Sequence, residues 1–184
     1  MTPTTLLLPT YANMLQTLAT LLEKAAQQMP DRVEALLSAR LAPDMYPLSS
    51  QIRFAAYQAQ EASFRLRGEA VPEWLDAVAA EGRNGGETPG SLAEARTRID
   101  EALSFVRAVP EHALDARSTL PLAIELPGGL TFDISGEQYV RDWALPQFYF
   151  HVVTAYAILR DQGVTIGKGD YVPHMFAYLR PQAA

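Results

Sequence analysis

The chain of 184 residues contains no cysteine. That one absence excludes disulfides, thiolate nucleophiles, cysteine-based zinc sites and iron–sulfur ligation together. Lysine is nearly missing too, with only Lys24 and Lys168. The other basic residues are arginines, and none of them forms a long run. With 15 basic against 21 acidic residues the formal net charge is -6 and the pI is near 5.0. A general nucleic-acid binder needs a basic face, so no nucleic-acid partner is expected. No apolar stretch approaches the roughly 18–20 residues that span a bilayer. The first nine residues lack a basic n-region, and their apolar run is too short for a signal peptide. The expectation is a cytoplasmic protein with no membrane partner.

What is present is ordinary globular material: 48% hydrophobic and 20% charged residues. This length suits a single domain over 1–184, large enough to bury a core without disulfides. The dominant signal is helical periodicity. Tyr11, Met14, Leu15, Leu18, Leu22, Ala25 and Met29 line one face of a helix predicted over 11–29, with Thr10 as its cap after Pro9. Pro30 stops it, and Asp31 to Glu34 has the form of a capping box for a short helix through Leu37. A second long helix runs from Pro47 to Arg67 and ends at Gly68. Its core stripe is Leu48, Ile52, Ala55, Ala59, Ala62 and Leu66. Residues 68–90 are the least ordered-looking part of the chain, and within them Glu81 to Gly90, rich in turn formers, reads as a mobile surface loop. Ser91 and Glu94 form a capping box for a third helix with Leu92, Ala95, Ile99, Ala102, Leu103 and Val106 inward and Pro110 at its end.

The period then changes. Residues 122–126 and 130–134 are β-rich and flank Gly128-Gly129, a two-residue hairpin signal. Ser135 caps the next helical stretch, which Pro146 kinks or divides. Its main body, 146–161, buries Phe148, Val152, Ala155 and Leu159 and ends at Gly163, before an irregular tail. Four amphipathic helices that share one core make a mainly α four-helix bundle, with a β-hairpin inserted before the last helix.

Chemistry is sparser. Of three histidines, His112 and His174 are expected in exposed loop positions. His151 lies about 60° from its helix's buried stripe at roughly 100° per residue, on the shoulder of the core. An imidazole there could bind a divalent metal or act as an acid or base. A helical metal site usually takes its second ligand at i+3 or i+4, and Thr154 and Ala155 occupy those positions. A hydrogen-bonded structural histidine is therefore favoured over a ligand. Gln51, Phe54 and Gln58 share one flank of the second helix, where glutamines could line a small polar pocket but more often border the core. Asp44 and Asp170 stand in turn-like contexts that suit backbone capping. Gly163 to Tyr171 resembles a phosphate loop only superficially: its spacing is wrong, Gly169 replaces the Ser or Thr, and it follows a helix.

Three segments carry a family resemblance: 39–48 (ARLAPDMYPL), 65–68 (RLRG) and 146–160 (PQFYFHVVTAYAILR) followed by 163–171 (GVTIGKGDY). Together they resemble a bacterial domain-of-unknown-function family of the DinB/YfiT-like metalloenzyme superfamily, over nearly the whole chain. The resemblance implies an up-down-down-up bundle and a homodimer. Better-known members of the superfamily hold a divalent metal with three histidines, one on the second helix and an H-x-x-x-H pair on a later one, and some are thiol-dependent transferases or hydrolases. His151 matches the first histidine of the pair, Ala155 takes the second position, and the second helix has no histidine. The acidic residue the subfamily places near Tyr57 is absent as well.

Two functions are thus in view. The preferred one is a non-catalytic bundle that binds a small molecule or serves as a dimeric interaction module, with no metal and with His151, Gln51, Gln58, Tyr57 and Asp44 as candidate ligand-binding residues. The alternative is a DinB-like enzyme using Ni, Zn, Mn or Fe near His151.

Overall fold

A computed structural model describes residues 1–126 and 128–180. The chain runs α1 (Pro3–Gln28), α2 (Val33–Leu36), α3 (Leu48–Arg67), α4 (Glu73–Asn84) and α5 (Leu92–Ala108). Strands β1 (Pro121–Leu126) and β2 (Leu130–Ser135) follow, then α6 (Gly136–Gln138), a π-helical segment (Tyr139–Ala144), α7 (Leu145–Asp161) and α8 (Lys168–Tyr171). A 3₁₀ turn over Pro173–Tyr178 closes the described chain.

The four long helices α1, α3, α5 and α7 make the bundle. Helix α3 packs on both α5 and α7, α1 also packs on both, and α1 and α3 barely touch across the diagonal. The core is the set of stripes expected from periodicity. Leu48, Ile52, Ala55, Ala59 and Ala62 of α3, and Phe148, Val152, Ala155 and Leu159 of α7, are all fully buried. The alanine row of α3 lets its neighbours approach closely, as small residues at a helix contact do.

Several local expectations are corrected. Helix α1 begins not at Tyr11 but at Pro3, with Thr2 and Thr5 as a reciprocal capping box. Pro9 lies inside the helix and Thr10 is no cap: its hydroxyl donates to the Leu6 carbonyl at 2.7 Å. A mid-helix proline forfeits a hydrogen bond, but the first turns are held from outside. Leu7 is fully buried, Asp115 Oδ1 accepts from the Thr4 amide at 2.9 Å, and Thr4 Oγ1 accepts from the Leu114 amide at 3.1 Å. The expected capping box at 31–34 does not form, since α2 has no side-chain cap. Glu34 instead accepts from the Leu92 amide at the start of α5, at 2.9 Å.

The largest correction concerns residues 68–90, which carry helix α4. Leu75, Val78, Ala79 and Gly82 are its buried face, an i, i+3, i+4, i+7 pattern that packs on α3. Glu81 ties it down further, accepting from Arg98 Nε at 3.0 Å and from Arg53 Nε at 3.4 Å. The two strands form an antiparallel hairpin whose register pairs Leu126 with Leu130. The connection is therefore one residue longer than a two-glycine turn, and residue 127 lies outside the described residues. Ser135 and Gln138 do form the capping box expected there. The wide π turns precede Pro146, so the division falls ahead of the proline. Wider turns make room for a ring that would otherwise meet the carbonyl four residues back. Among the described residues no helix is long and apolar enough to cross a membrane.

Candidate functional site

Helix α7 brings His151 against α3, and α4 closes the third side. The imidazole is half-buried and tilts over the Phe54 ring, with centroids 5.0 Å apart. The Phe150 ring meets it edge-on at 5.4 Å. Its Nδ1 lies 2.9 Å from Gln51 Oε1, and Gln51 is itself only 2% exposed. Gln51 Nε2 donates to the Tyr46 carbonyl at 3.1 Å. A carbonyl can only accept, so this bond fixes the amide with Oε1 toward the imidazole. His151 must therefore carry its proton on Nδ1, which leaves Nε2 as a lone pair. Burial pulls the histidine's pKa down to about 4, because an apolar setting disfavours the charged form. At neutral pH the ring is an uncharged acceptor.

Beside it lies a cavity of about 380 Å³. Its walls are Tyr46, Phe54 and Tyr57, with Phe150 and His151 from α7; Gln58, Ala79 and Arg83 complete the lining. Gln58 Oε1 is buried with no hydrogen-bond partner among the described residues. The Tyr57 phenol is held protonated, first by burial and then by the nearby Glu61 carboxylate. Arg83 is exposed and makes no ion pair among the described residues. A second cavity of about 280 Å³ shares Tyr46 and Arg83 with the first.

Of the sequence candidates, His151, Gln51, Gln58 and Tyr57 thus meet at one place. Asp44 does not: it is exposed and lines the second cavity. His174 is half-buried, not exposed. Asp170 caps the Gly167 amide at 2.7 Å, as its turn context implies, and also pairs with Lys24. Arg83, Tyr46 and Phe150 were not singled out from sequence. Arg83 is hidden because its part of α4 reads as a loop.

The set does not fit a divalent metal. Ala155 is fully buried at the i+4 position and has no donor, Thr154 donates its hydroxyl to the Phe150 carbonyl, and Tyr57 is kept from ionising. Among the described residues no three His, Asp or Glu side chains gather in a way that could hold a metal. One imidazole beside amides and the protonated Tyr57 phenol is a poor ligand shell for Ni, Zn, Mn or Fe.

A second polar cluster lies deeper. Glu61, 5% exposed, accepts from Arg65 Nε and Nη2 at 3.0 and 2.9 Å. Its charge reaches Tyr11 and Tyr139, whose hydroxyls are buried without partners among the described residues.

No curated protein matches the chain. A DinB family member protein from Shewanella denitrificans, known from its crystal structure, is 28% identical, with a TM-score of 0.71 over 96% of this chain and 92% of that one. The bundle is therefore DinB-like. The family model described as "Domain of unknown function (DUF1993)" matches residues 4–172. The chain belongs to the DUF1993 family.

Proposed function

We propose that this protein is a DinB-like helical bundle that binds a small organic molecule in the cavity beside His151 without using a metal. The observation that carries this reading is the state of His151: one half-buried, neutral imidazole whose Nδ1 is committed to Gln51, set in an aromatic-walled cavity beside Gln58, whose Oε1 has no partner, and Arg83, which makes no ion pair, among the described residues. Pockets of 300–1,000 Å³ that are mostly apolar with a few convergent polar groups are where small ligands bind. The alternative, a metal-dependent transferase or hydrolase, draws its support from the superfamily alone.

The test is metal analysis of protein purified without a histidine tag, with thermal shifts against Ni, Zn, Mn and Fe, followed by a fragment screen read by NMR. Substoichiometric metal and fragments whose contacts fall on the Phe54 and Phe150 rings are expected. A metal bound one to one and lost in His151→Ala would overturn the reading, and so would a screen with no contact at those rings.

A homodimer is favoured by a separate observation. From Leu145 to Leu159 helix α7 carries no charged residue, yet Phe150 is 56% and Val153 46% exposed. A helix apolar all round is normally covered on every side. We take a second copy as the partner that the exposed side of α7 meets.

A further inference from the structure

We propose that the ligand of the His151 cavity is a planar aromatic carboxylic acid carrying a hydrogen-bond donor on its ring, of the hydroxybenzoate type. This inference rests on the small-molecule reading above and narrows it to a class. Three features of the lining point the same way.

The first is shape. Tyr46, Phe54, Tyr57 and Phe150 surround the cavity, and the rings of Tyr46 and Phe54 already meet edge to face at 5.2 Å. Aromatic walls favour a flat ring by offset or edge contact.

The second is charge. Arg83 is the one charged side chain on the lining. A guanidinium free of ion pairs holds a carboxylate with two parallel N–H bonds. A cationic ligand would face this charge with no carboxylate on the lining to offset it. The position of Arg83, at the junction of the two cavities, puts the acid group at the rim, where it keeps part of its hydration.

The third is hydrogen-bond polarity. His151 Nε2 is an acceptor, because the Gln51 amide, itself fixed by the Tyr46 carbonyl, takes the proton on Nδ1. Gln58 lines the same cavity, and its Oε1 is buried without a partner among the described residues. An acceptor that a ligand covers and leaves unpaired is costly, so the ligand best suited to His151 Nε2 brings a donor to its inner end. A ring hydroxyl supplies one; an unsubstituted ring does not.

Isothermal titration of the full chain with four probes of similar size separates these requirements. They are 4-hydroxybenzoate, benzoate without the donor, 4-hydroxybenzyl alcohol without the charge, and tyramine with the opposite charge. 4-Hydroxybenzoate should bind about tenfold more tightly than the alcohol and at least about fivefold more tightly than benzoate. Arg83→Gln, an exposed position, should abolish the preference over the alcohol, weakening the acid by about tenfold and the alcohol by less. If the alcohol or tyramine binds as well as the acid, with NMR contacts at Phe54 and Phe150, the ligand class is overturned and the cavity reading stands. If no probe binds while the fragment screen finds other ligands at those rings, the class is overturned alone. If the screen finds none either, both fall.

Discussion

At the scale of single residues, His151 is the perturbed group that a change of pH in the acid range can test. Its proton affinity is lowered by burial to a pKa of about 4 from 6.5, so between those values the unfolded chain binds a proton that the folded chain refuses. Stability contributed by the neutral ring is complete above about pH 6.5 and falls as pH drops toward 4. The full effect is about 3 kcal/mol. In urea unfolding at pH 7 and at pH 4.5, the wild type should lose about 2 kcal/mol more than His151→Gln. Equal losses would show that the folded ring titrates freely. The site was half legible from the order of residues alone. His151, Gln51, Gln58 and Tyr57 fall on helix faces that periodicity locates, so their meeting could be anticipated. Arg83 and Tyr46 could not, because one sits on a helix obscured by turn formers and the other in the turn before α3.

At the scale of elements, helix α4 decides the shape of the cavity. Gly82 sits so close to α3 that a Cβ there would come within 2.7 Å of Phe54 Cε1. The same Phe54 ring backs the imidazole, so it has little room to retreat. Gly82→Ala gains about 1 kcal/mol of helix propensity but overpacks a tight contact at a cost of about 1–3 kcal/mol. A net loss of about 1 kcal/mol is expected in chemical denaturation, along with a displaced Phe54 signal in NMR. An unchanged or raised stability would show that α4 is loosely seated. The same element explains why part of the fold was hidden. Glu81 to Gly90 contains four glycines and a proline, and such composition argues for loop. The helix forms because Leu75, Val78 and Ala79 bury against α3, and tertiary burial overrides weak local propensity. Pro9 misled in the opposite sense: contacts made 110 residues away, between Thr4 and Leu114, hold a turn that local rules would end. By contrast, the stripes of α3, α5 and α7 and the boxes at Ser91 and Ser135 were readable. Their signals are local, and nothing distant opposes them.

At the scale of the whole molecule, the uncharged span of α7 works on two sides. Phe148 and Val152 fill the bundle, while Tyr149, Phe150 and Val153 face outward. With a second copy seated there, Val153→Asp would bury an unpaired charge, an arrangement that costs several kcal/mol. The expected outcome is a dimer for the wild type and, for the variant, a monomer with an unchanged circular dichroism spectrum. A wild type that sediments as a monomer, or a variant that remains dimeric, would remove α7 as the contact.

The bond from Gln51 to the Tyr46 carbonyl sets what evolution is free to alter at this site. Every amino acid offers the same main-chain oxygen, so position 46 can vary in side chain without changing which imidazole nitrogen bears the proton. Wall shape can drift with residue 46, while the acceptor presented by His151 is inherited from the path of the turn.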